Sequence, residues 1–454
     1  MTVVDGAADP AVRMVHLGLG NFFRAHQAWY TQHASDGPDW GIAAFTGRNP
    51  RMADVLNAQG GRYTFVIRGP EEDHLDTIDR VVRAHRSDDD AAWSAYFASE
   101  RVAVVTLTVT ESAYLHHPTD GVDWRSEQLQ ADVSAIAAGA VSAATVPARI
   151  AAGLIRRRAV DAGPLTIISC ENLLNNGDVL KAAVRAVCHR LDPSMDAWLD
   201  AMVTFPSAVV DRITPSATPE LLAMVEHRLG ARDEAAVVAE PYAEWTMTDA
   251  FLGARPDWEG AGARYVADVE PFERRKLWLL NAAHTLLAYT GITQGITTVH
   301  QAMDDAHCVA LVRDWWAVAG ADIGLPKEDV EGFCAALETR FRNSRNAHQL
   351  LQISLDGSQK LPIRILPVLS VQRQKGGLPR SAVEVLAAWV WFVRNDDRAE
   401  DVDIDRLREL GSAGPAAAVR GLMRLLDTAL EGDDVLIAAV TQRLHELERA
   451  PSSG

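Results

Sequence analysis

The 454-residue sequence is poor in cysteine and has no recognisable metal-binding motif. Its four cysteines lie far apart, without the CxxC spacing of structural zinc sites and redox motifs. Scattered thiols of this kind are typical of a reducing compartment. The sequence contains no HExxH motif and no cluster of histidine and cysteine, so we expect chemistry that needs no metal ion.

The sequence also lacks the features of membrane, secreted and nucleic acid-binding proteins. No apolar run approaches the about 18 residues that cross a bilayer, and residues 1–12 show no charged-then-apolar signal pattern. With 44 basic against 61 acidic residues the formal net charge is −17, which disfavours nucleic acid and anionic membranes as partners. We therefore expect a cytoplasmic protein that acts on a small molecule. The sequence leaves its oligomeric state open.

The spacing of apolar residues divides the chain into an α/β part and a helical part. In the first 268 residues, short β-branched runs alternate with helical stretches, which predicts a Rossmann-like α/β domain with a mixed sheet. The predicted strands are residues 13–17, 41–45, 62–68, 77–84, 102–108, 165–169, 203–210, 237–241 and 263–266. The predicted helices among them are residues 87–98, 126–138, 146–159 and 178–191.

From residue 269 to residue 454 the periodicity is helical, which predicts an all-α domain. The predicted helices are residues 273–289, 301–319, 327–341, 345–355, 381–394 and 417–448. A loop is predicted at residues 356–362, which contain Gly357 and Pro362.

A glycine-rich turn, Gly18-Leu19-Gly20-Asn21-Phe22, follows the first predicted strand. A strand that runs into GxG and then a helix begins a dinucleotide-binding unit, because the second glycine lets the backbone approach a pyrophosphate. Phe23 stands where the third glycine of that fingerprint is expected, so a plain strand–helix turn is the competing interpretation. No acidic residue follows the second strand to bind the ribose hydroxyls of NAD. Arg48 and Arg51 stand there instead, either solvated or in contact with a 2′-phosphate, and NADP is not excluded.

Polar residues follow two of the predicted central strands. Val109 and Thr110 come after the strand at 102–108, and Asn172 comes after the strand at 165–169. Ligands of a doubly wound sheet lie outside the carboxyl ends of its strands. We therefore expect Val109 and Thr110 to face the cofactor, and the amide of Asn172 to reach the reacting centre. The alternative is that Asn172 and Asn175 simply form Asx turns or cap the helix predicted at 178–191.

The predicted helix at 273–289 is apolar nearly all round, yet it carries Glu273, Lys276, Asn281 and His284 on one side. Such a helix is normally buried, and each polar group buried without a partner costs about 1–3 kcal/mol. Either a bound substrate or cofactor offsets this cost, or each group finds a local solution. In the second case Lys276 extends to solvent at the rim, His284 is hydrogen-bonded within the core and Asn281 bonds to a neighbouring carbonyl group. The helix begins at the seam between the predicted domains, where ligand sites are common.

A series of motifs runs in a fixed order along the chain. They are Gly18-x-Gly20-Asn21-Phe22-x-Arg24-Ala25-His26, Thr106-Leu107-Thr108-Val109-Thr110-Glu111, Ser169-Cys170-Glu171-Asn172-Leu173-x-x-Asn176-Gly177, Phe205-Pro206-x-x-x-Val210-Asp211-Arg212-Ile213-Thr214-Pro215, Lys276 with Asn281 and His284, and Asp356-Gly357-Ser358-Gln359-Lys360-x-Pro362. Together they resemble the long-chain mannitol dehydrogenase family of metal-independent polyol dehydrogenases, which also contains fructuronate (mannonate) and arabinitol-type members. The sequence departs from the family pattern at Phe23, at Leu174 and at residues 112–114.

The resemblance implies an oxidoreductase that transfers a hydride between NAD and a sugar alcohol/ketose pair of the mannitol/fructose kind. It assigns Lys276 as the catalytic base, and Asn281 and Asn172 as the amides that bind the oxyanion. It assigns His284 to substrate orientation. Burial disfavours an ammonium and can bring a lysine pKa from about 10.4 towards about 7–8, where proton transfer is efficient.

The resemblance also assigns Asp211 to the polyol site and Glu273 to an acid beside the lysine that relays protons. Two rival functions remain. An NADP-dependent uronate reductase would use Arg48 and Arg51 for the cofactor and Lys360 for the substrate carboxylate. A dinucleotide sensor on the same fold would bind nucleotide without oxidising any polyol, and it would have no need of a base.

Overall fold

Residues 11–141, 143–345 and 348–449 are described by the computed structural model. The sequence predicts no signal pattern in residues 1–12. Of these, residues 1–10 lie outside the described residues. The chain divides into two units, Met1–Glu270 and Pro271–Gly454.

Parallel strands form the central sheet of the first unit, in the order β10-β9-β6-β1-β2-β5. The strands of this unit are β1 (Val12–Leu17), β2 (Gly41–Phe45), β3 (Tyr63–Arg68), β4 (Asp73–Ile78), β5 (Val81–His85), β6 (Val104–Leu107), β7 (His116–His117), β8 (Gly121–Val122), β9 (Leu165–Ser169), β10 (Val203–Thr204), β11 (Ala208–Asp211), β12 (Val237–Ala239), β13 (Glu244–Thr248) and β14 (Arg264–Val266). Mixed pairing is found in two smaller sheets, β11-β13-β14 and β12-β3-β4, while β7 and β8 form a hairpin.

The helices of the first unit connect these strands. They are α1 (Asn21–Ala25), α2 (Gln27–His33), α3 (Arg51–Ala58), α4 (Asp90–Phe97), α5 (Glu127–Ala137), α6 (Val146–Ala159), α7 (Asn176–Leu191), α8 (Met195–Met202) and α9 (Pro219–Leu229). The central strands β6 and β9 are buried along their whole length, as their continuous apolar and β-branched sequences predict. The predicted Rossmann-like α/β domain is confirmed.

Two of the predicted strands are wrong because each joins segments that belong to different sheets. Residues 77–84 contain the end of β4, which pairs with β3, and the start of β5, which pairs with β2. Residues 203–210 contain β10 of the central sheet and most of β11, which pairs with β13. Apolar or β-branched residues stand on both sides of each break, so composition alone does not reveal where one strand ends and the next begins.

The second unit is helical in the described residues. Its helices are α10 (Glu270–Arg275), a π-helical segment (Lys276–Asn281), α11 (Ala282–Ile292), α12 (Val299–Ala302), α13 (Ala306–Gly320), α14 (Lys327–Phe341), α15 (Leu350–Ile353), α16 (Gly357–Arg364), α17 (Leu366–Gln374), α18 (Arg380–Asn395), α19 (Ile404–Gly411), α20 (Pro415–Leu426) and α21 (Asp434–Arg449). None of the helices in the described part of the chain is both long and apolar enough to cross a membrane.

Several helix predictions in the second unit need correction. The helix predicted at 301–319 is split into α12 and α13, with Asp305 capping α13 through a 2.8 Å bond to the amide of Cys308. The helix predicted at 417–448 is split into α20 and α21 by a short 3₁₀ turn. Residues 346 and 347 of the helix predicted at 345–355 lie outside the described residues, and the described part is helical only in α15.

The predicted loop at 356–362 is wrong, because α16 occupies most of it. Asp356 has φ of 54° and precedes the first helical residue, Gly357. A Cβ at Gly357 would lie 2.2 Å from the hydroxyl of Tyr289 and 2.6 Å from the indole nitrogen of Trp389. This glycine therefore marks a close approach between helices, and Pro362 is accommodated inside α16.

Candidate active site

The turn after β1 packs closely against the end of β6 and is hydrogen-bonded to it. Gly18 has φ of 111°, and a Cβ there would lie 2.1 Å from the carbonyl oxygen of Thr108. The hydroxyl of Thr108 donates to the carbonyl oxygen of Gly18 over 2.8 Å. The amides of Gly18 and Leu19 both donate to the carbonyl oxygen of Phe45, at the end of β2. Only glycine fits at residue 18, because both the backbone angle and the space exclude a side chain.

Gly20, in contrast, faces open space. It is exposed at the N-terminus of α1, and a Cβ there would meet nothing closer than the carbonyl oxygen of Gly18 at 3.6 Å. The side-chain oxygen of Asn21 accepts a 2.6 Å bond from Arg24, and the ring of Phe22 stacks on His26 with centroids 4.8 Å apart. Gly20 is the N-cap residue of α1 and has no side chain to cap the first amides of the helix. An exposed, uncrowded glycine at the start of a helix fits the close approach of a pyrophosphate.

The loops after β6 and β9 meet at a buried carboxylate, that of Glu171. One of its oxygens accepts a 2.8 Å bond from the amide of Val109, and the other accepts from the hydroxyls of Tyr114 and Ser169. Burial raises the pKa of Glu171 to about 7. Thr110, the next residue after Val109, is exposed at the same loop. Since β1, β6 and β9 are neighbours in the sheet, the predicted residues at their carboxyl ends lie on one edge.

Asn172 follows Glu171 directly and is exposed. The N-cap residue of α7 is Asn175, whose side chain makes no capping bond, so Asn172 does not cap this helix. Sequence reasoning gave no role to Asn176, which is buried. Its side-chain nitrogen donates to the carbonyl oxygens of Glu171 (3.0 Å) and Ala208 (2.7 Å), and so ties the turn after β9 to β11.

Asp211 lies at the end of β11 and is buried. It was predicted to line the polyol site, with a structural ion pair to Arg212 as the alternative. The guanidinium of Arg212 donates to the carbonyl oxygen of Ala25 over 2.8 Å and lies 4.6 Å from the ring centroids of both Trp29 and Phe65. Burial lowers the pKa of Arg212 to about 10.

Three of the four residues predicted as catalytic, Lys276, Asn281 and His284, lie on one helical run of the second unit, whereas Asn172 belongs to the first unit. The single α-helix predicted at 273–289 is wrong in one respect. The run consists of α10, the π-helical segment and α11, and the π-helical segment extends from Lys276 to Asn281. A π-turn holds about one residue more than an α-turn. Residues after it are therefore turned back by about 100° relative to a regular helix, which narrows the arc that separates Lys276 from Asn281 and His284.

Side chains from distant helices hold the carbonyl groups of the π-helical segment. The indole nitrogen of Trp315 donates to the carbonyl oxygen of Trp278 over 2.6 Å, and that of Trp316 donates to Leu279 over 2.9 Å. The guanidinium of Arg364 makes a longer, 3.4 Å bond to the carbonyl oxygen of Asn281. These donors come from α13 and α16, so nothing in the local sequence signals the π-turn.

The polar groups on this run differ in burial. Lys276 and Asn281 are half-buried, whereas Glu273 and His284 are 6% and 9% exposed. The ring of His284 packs on Phe341 with centroids 4.5 Å apart. Burial holds the pKa of His284 well below its usual value, and the charges of His348, Arg340 and Arg364 lower it further. The imidazole is therefore neutral near pH 7, with one nitrogen that donates and one that accepts.

Lys360 lies on α16, where its ammonium donates to the carbonyl oxygen of Ile353 over 3.2 Å. Burial and the neighbouring charge of Arg364 lower its pKa. Sequence reasoning missed the positive charges of Arg340 and Arg364 beside His284, because both are far from it along the chain. The described residues contain no group of three or more His, Cys, Asp and Glu side chains placed to hold a metal ion.

Comparison with known proteins matches both units to domains of the same family. The family model for the mannitol dehydrogenase Rossmann domain matches residues 12–260, and that for the mannitol dehydrogenase C-terminal domain matches residues 268–447. The chain is 34% identical to D-mannonate oxidoreductase of Escherichia coli (strain K12), over 86% of this chain and 82% of that protein. It is 33% identical to D-arabinitol 4-dehydrogenase of Ralstonia nicotianae, over 94% of both.

A solved structure is also similar along almost the whole chain. It is mannitol 2-dehydrogenase of Pseudomonas fluorescens in a ternary complex with NAD and D-mannitol. The TM-score is 0.80 at 30% sequence identity, over 97% of this chain and 92% of that one.

Proposed function

The chain belongs to the mannitol dehydrogenase family, and we propose that it is an NAD-dependent dehydrogenase of mannitol-type polyols, which interconverts a sugar alcohol and its ketose. The observation that carries this proposal is the π-helical segment, which places a lysine and a side-chain amide on one short stretch with a neutral histidine just beyond it. The similarity to a mannitol 2-dehydrogenase solved with NAD and D-mannitol supports both the cofactor and the substrate class.

In this proposal residues 1–268 bind the dinucleotide and residues 269–454 supply the catalytic lysine. The turn shaped by Gly18 and the uncrowded backbone at Gly20, with Asn21 and Phe22, fit the pyrophosphate, and the loop of Val109 and Thr110 borders the cofactor. The bound NAD supplies the acceptor for the hydride that leaves the alcohol carbon.

Lys276 acts as the general base that takes the hydroxyl proton. A lysine with its ordinary pKa of about 10.4 is protonated at neutral pH, so the base must be the neutral amine. Removal of the ammonium from water favours that form, and Lys276 is half-buried. In this proposal Glu273, which lies one turn earlier and is 6% exposed, passes the proton on from the lysine.

Asn281 and Asn172 supply N–H donors to the oxygen that becomes alkoxide-like as the hydride leaves. Donors of this kind contribute about 2.7–4 kcal/mol each in comparable oxyanion sites. The neutral His284 can both accept and donate a hydrogen bond, which suits a neighbouring hydroxyl of a polyol. Asp211 accepts from further hydroxyls and so lines the polyol site.

Replacement of the lysine tests the proposal. Lys276→Ala should lower kcat for polyol oxidation by at least about a hundredfold, because a general base contributes 10² to 10⁴, while the Kd of NADH stays within about twofold. The matched control is Lys327→Ala, which removes an exposed lysine that forms an ion pair with Glu331 and should leave kcat unchanged. Wild-type kcat in Lys276→Ala would refute the assignment of the base.

A second candidate substrate is a sugar acid. Arg340, Arg364 and Lys360 place positive charge in the region of His284, which a substrate carboxylate would neutralise, and D-mannonate oxidoreductase is among the relatives. Fructose and fructuronate should be compared with NADH and with NADPH in one assay. Lys360→Met should then lower kcat/KM for the uronate more than for the ketose if the carboxylate binds there. Equal losses for both would exclude this role.

We also propose a cytoplasmic location. All four cysteines are free thiols, and Cys170, Cys188 and Cys308 are buried. Unpaired buried thiols fit a reducing compartment.

A further inference from the structure

The carboxylate of Glu171 bonds to two loops of the first unit at once. One oxygen accepts from the amide of Val109, which follows β6, over 2.8 Å. The other oxygen accepts from the hydroxyls of Tyr114, in the next turn, and of Ser169, at the end of β9. Those two hydroxyl oxygens lie 2.8 Å from each other. The carboxylate thus joins the segment proposed to border the cofactor to the strand that leads to Asn172.

The main chain of residue 171 is fixed as well as its side chain. Its carbonyl oxygen accepts from the side-chain nitrogen of Asn176 over 3.0 Å, and the same nitrogen bonds to Ala208 in β11. Glu171 is 7% exposed and Tyr114 is fully buried, so water has little access to replace either bond. Asn172 is the next residue, and the peptide group that leads to it cannot turn without breaking the bond to Asn176.

A buried carboxylate lowers the stability of the fold if its side chain does no more than fill space. Burial disfavours its ionised form and raises the pKa of Glu171 to about 7. An apolar residue of similar size would avoid that cost. The carboxylate offers what such a residue lacks, acceptors for three donors, of which two come from the segment after β6 and one from the end of β9.

We propose that Glu171 is a positioning residue: its hydrogen bonds fix the distance between the backbone at Val109, where the cofactor would bind, and the side-chain amide of Asn172. This inference rests on the proposed function, in which Asn172 binds the oxyanion. Glu171 transfers no proton in this role.

Two substitutions separate the bonds of Glu171 from its charge. Glu171→Ala removes all three acceptor contacts, and it should lower kcat by roughly tenfold or more and weaken NADH binding by roughly threefold or more. Glu171→Gln keeps an acceptor for Val109 and gains an amide that can donate to the hydroxyl of Tyr114. It should therefore restore kcat and the Kd of NADH to within roughly threefold of the wild type.

A double-mutant cycle with Asn172→Ala shows whether Glu171 acts through Asn172. The losses of kcat should not multiply, so that Glu171→Ala in the Asn172→Ala background costs less than about twofold. If circular dichroism shows that Glu171→Ala is unfolded, Tyr114→Phe takes its place. That variant should lower kcat by about threefold in the wild-type background and leave it unchanged in the Asn172→Ala background.

Three results would overturn the inference: wild-type kcat and NADH affinity in a folded Glu171→Ala, losses that multiply in the cycle, or a Glu171→Gln variant as impaired as Glu171→Ala. Failure of the proposed function looks different, because the wild type itself would then oxidise no polyol and reduce no ketose. In that case the NADH titration of Glu171→Ala still decides, since unchanged affinity would contradict a role in holding Val109.

Discussion

The two glycines of the turn after β1 should respond in opposite ways to a single methyl group. Gly18→Ala places a Cβ 2.1 Å from the carbonyl oxygen of Thr108 at a φ of 111°, so the turn must move away from the end of β6. Gly20→Ala places its Cβ 3.6 Å from the nearest atom, which is ordinary contact. Gly18→Ala should therefore lower the stability of the folded protein, whereas Gly20→Ala should change only the space beside the turn that a ligand would occupy.

The cost at Gly18 has two parts. A non-glycine residue held in an unfavourable backbone region costs about 1–3 kcal/mol, and overpacking against a rigid neighbour costs about 1–3 kcal/mol more. We expect Gly18→Ala to destabilise the first unit by about 2–6 kcal/mol. Gly20→Ala should change stability by less than about 1 kcal/mol, because an exposed glycine in open space loses nothing that folding requires.

The substitution with the smaller effect on stability, Gly20→Ala, should have a clear effect on cofactor binding. If a pyrophosphate lies against the backbone at Gly20, the added methyl group occupies its place, and the Kd of NADH should rise by about tenfold or more. Denaturation followed by tryptophan fluorescence measures the stability of both variants, and calorimetric titration measures NADH binding. A Gly18→Ala variant as stable as the wild type would refute the steric reasoning. A Gly20→Ala variant with wild-type NADH affinity would remove the cofactor from this turn.

Two further predictions concern the π-helical segment and the buried carboxylate. Trp316→Phe keeps a six-membered aromatic ring but removes the indole N–H, which leaves the carbonyl oxygen of Leu279 without its 2.9 Å donor. The kcat should therefore fall by about tenfold with little change in the Kd of NADH; an unchanged kcat would show that the donor is dispensable. The pKa of Glu171 is raised from 4.5 to about 7 in the folded chain, so its contribution to stability is fully present below pH 4.5 and is lost as the pH rises through 7. At 1.36 kcal/mol per pKa unit, the free energy of unfolding should fall by about 3 kcal/mol more in the wild type than in Glu171→Gln across that range; parallel pH profiles in denaturant titrations would contradict it.

The sequence predicts the sheet edge of the candidate site well. β2 and β9 have the predicted bounds, and β1 and β6 differ from prediction only at their ends. Continuous β-branched runs and the rule that ligands lie at the carboxyl ends of strands were sufficient, since both depend on local sequence. Gly18, Val109 and Asn172 therefore lie at neighbouring strand ends, as expected. The chemical roles assigned to them stay predictions.

What the sequence could not predict depends on contacts between distant residues. The π-turn exists where indole groups of α13 meet carbonyl groups more than thirty residues earlier. In the sequence Gly357 predicts a break, yet it is the first residue of helix α16. Glycine stands there because Tyr289 and Trp389 leave no room for a side chain. The role of Glu171 as a bridge likewise needs Tyr114, which comes from another segment. Propensity and periodicity describe one segment at a time, and none of these contacts is local.

The π-helical segment makes the hydrogen-bonding pattern of the helix, and not only the identity of its residues, a condition for the proposed arrangement. If the same residues formed a regular α-helix, Asn281 and His284 would be rotated by about 100° relative to Lys276, although every side chain with a proposed chemical role would still be present. Loss of one residue such as Leu277 would instead let the run close as a regular α-helix and leave Lys276 on the same side as Asn281 and His284. A sequence that is one residue shorter in this segment would therefore keep the arrangement without any π-turn.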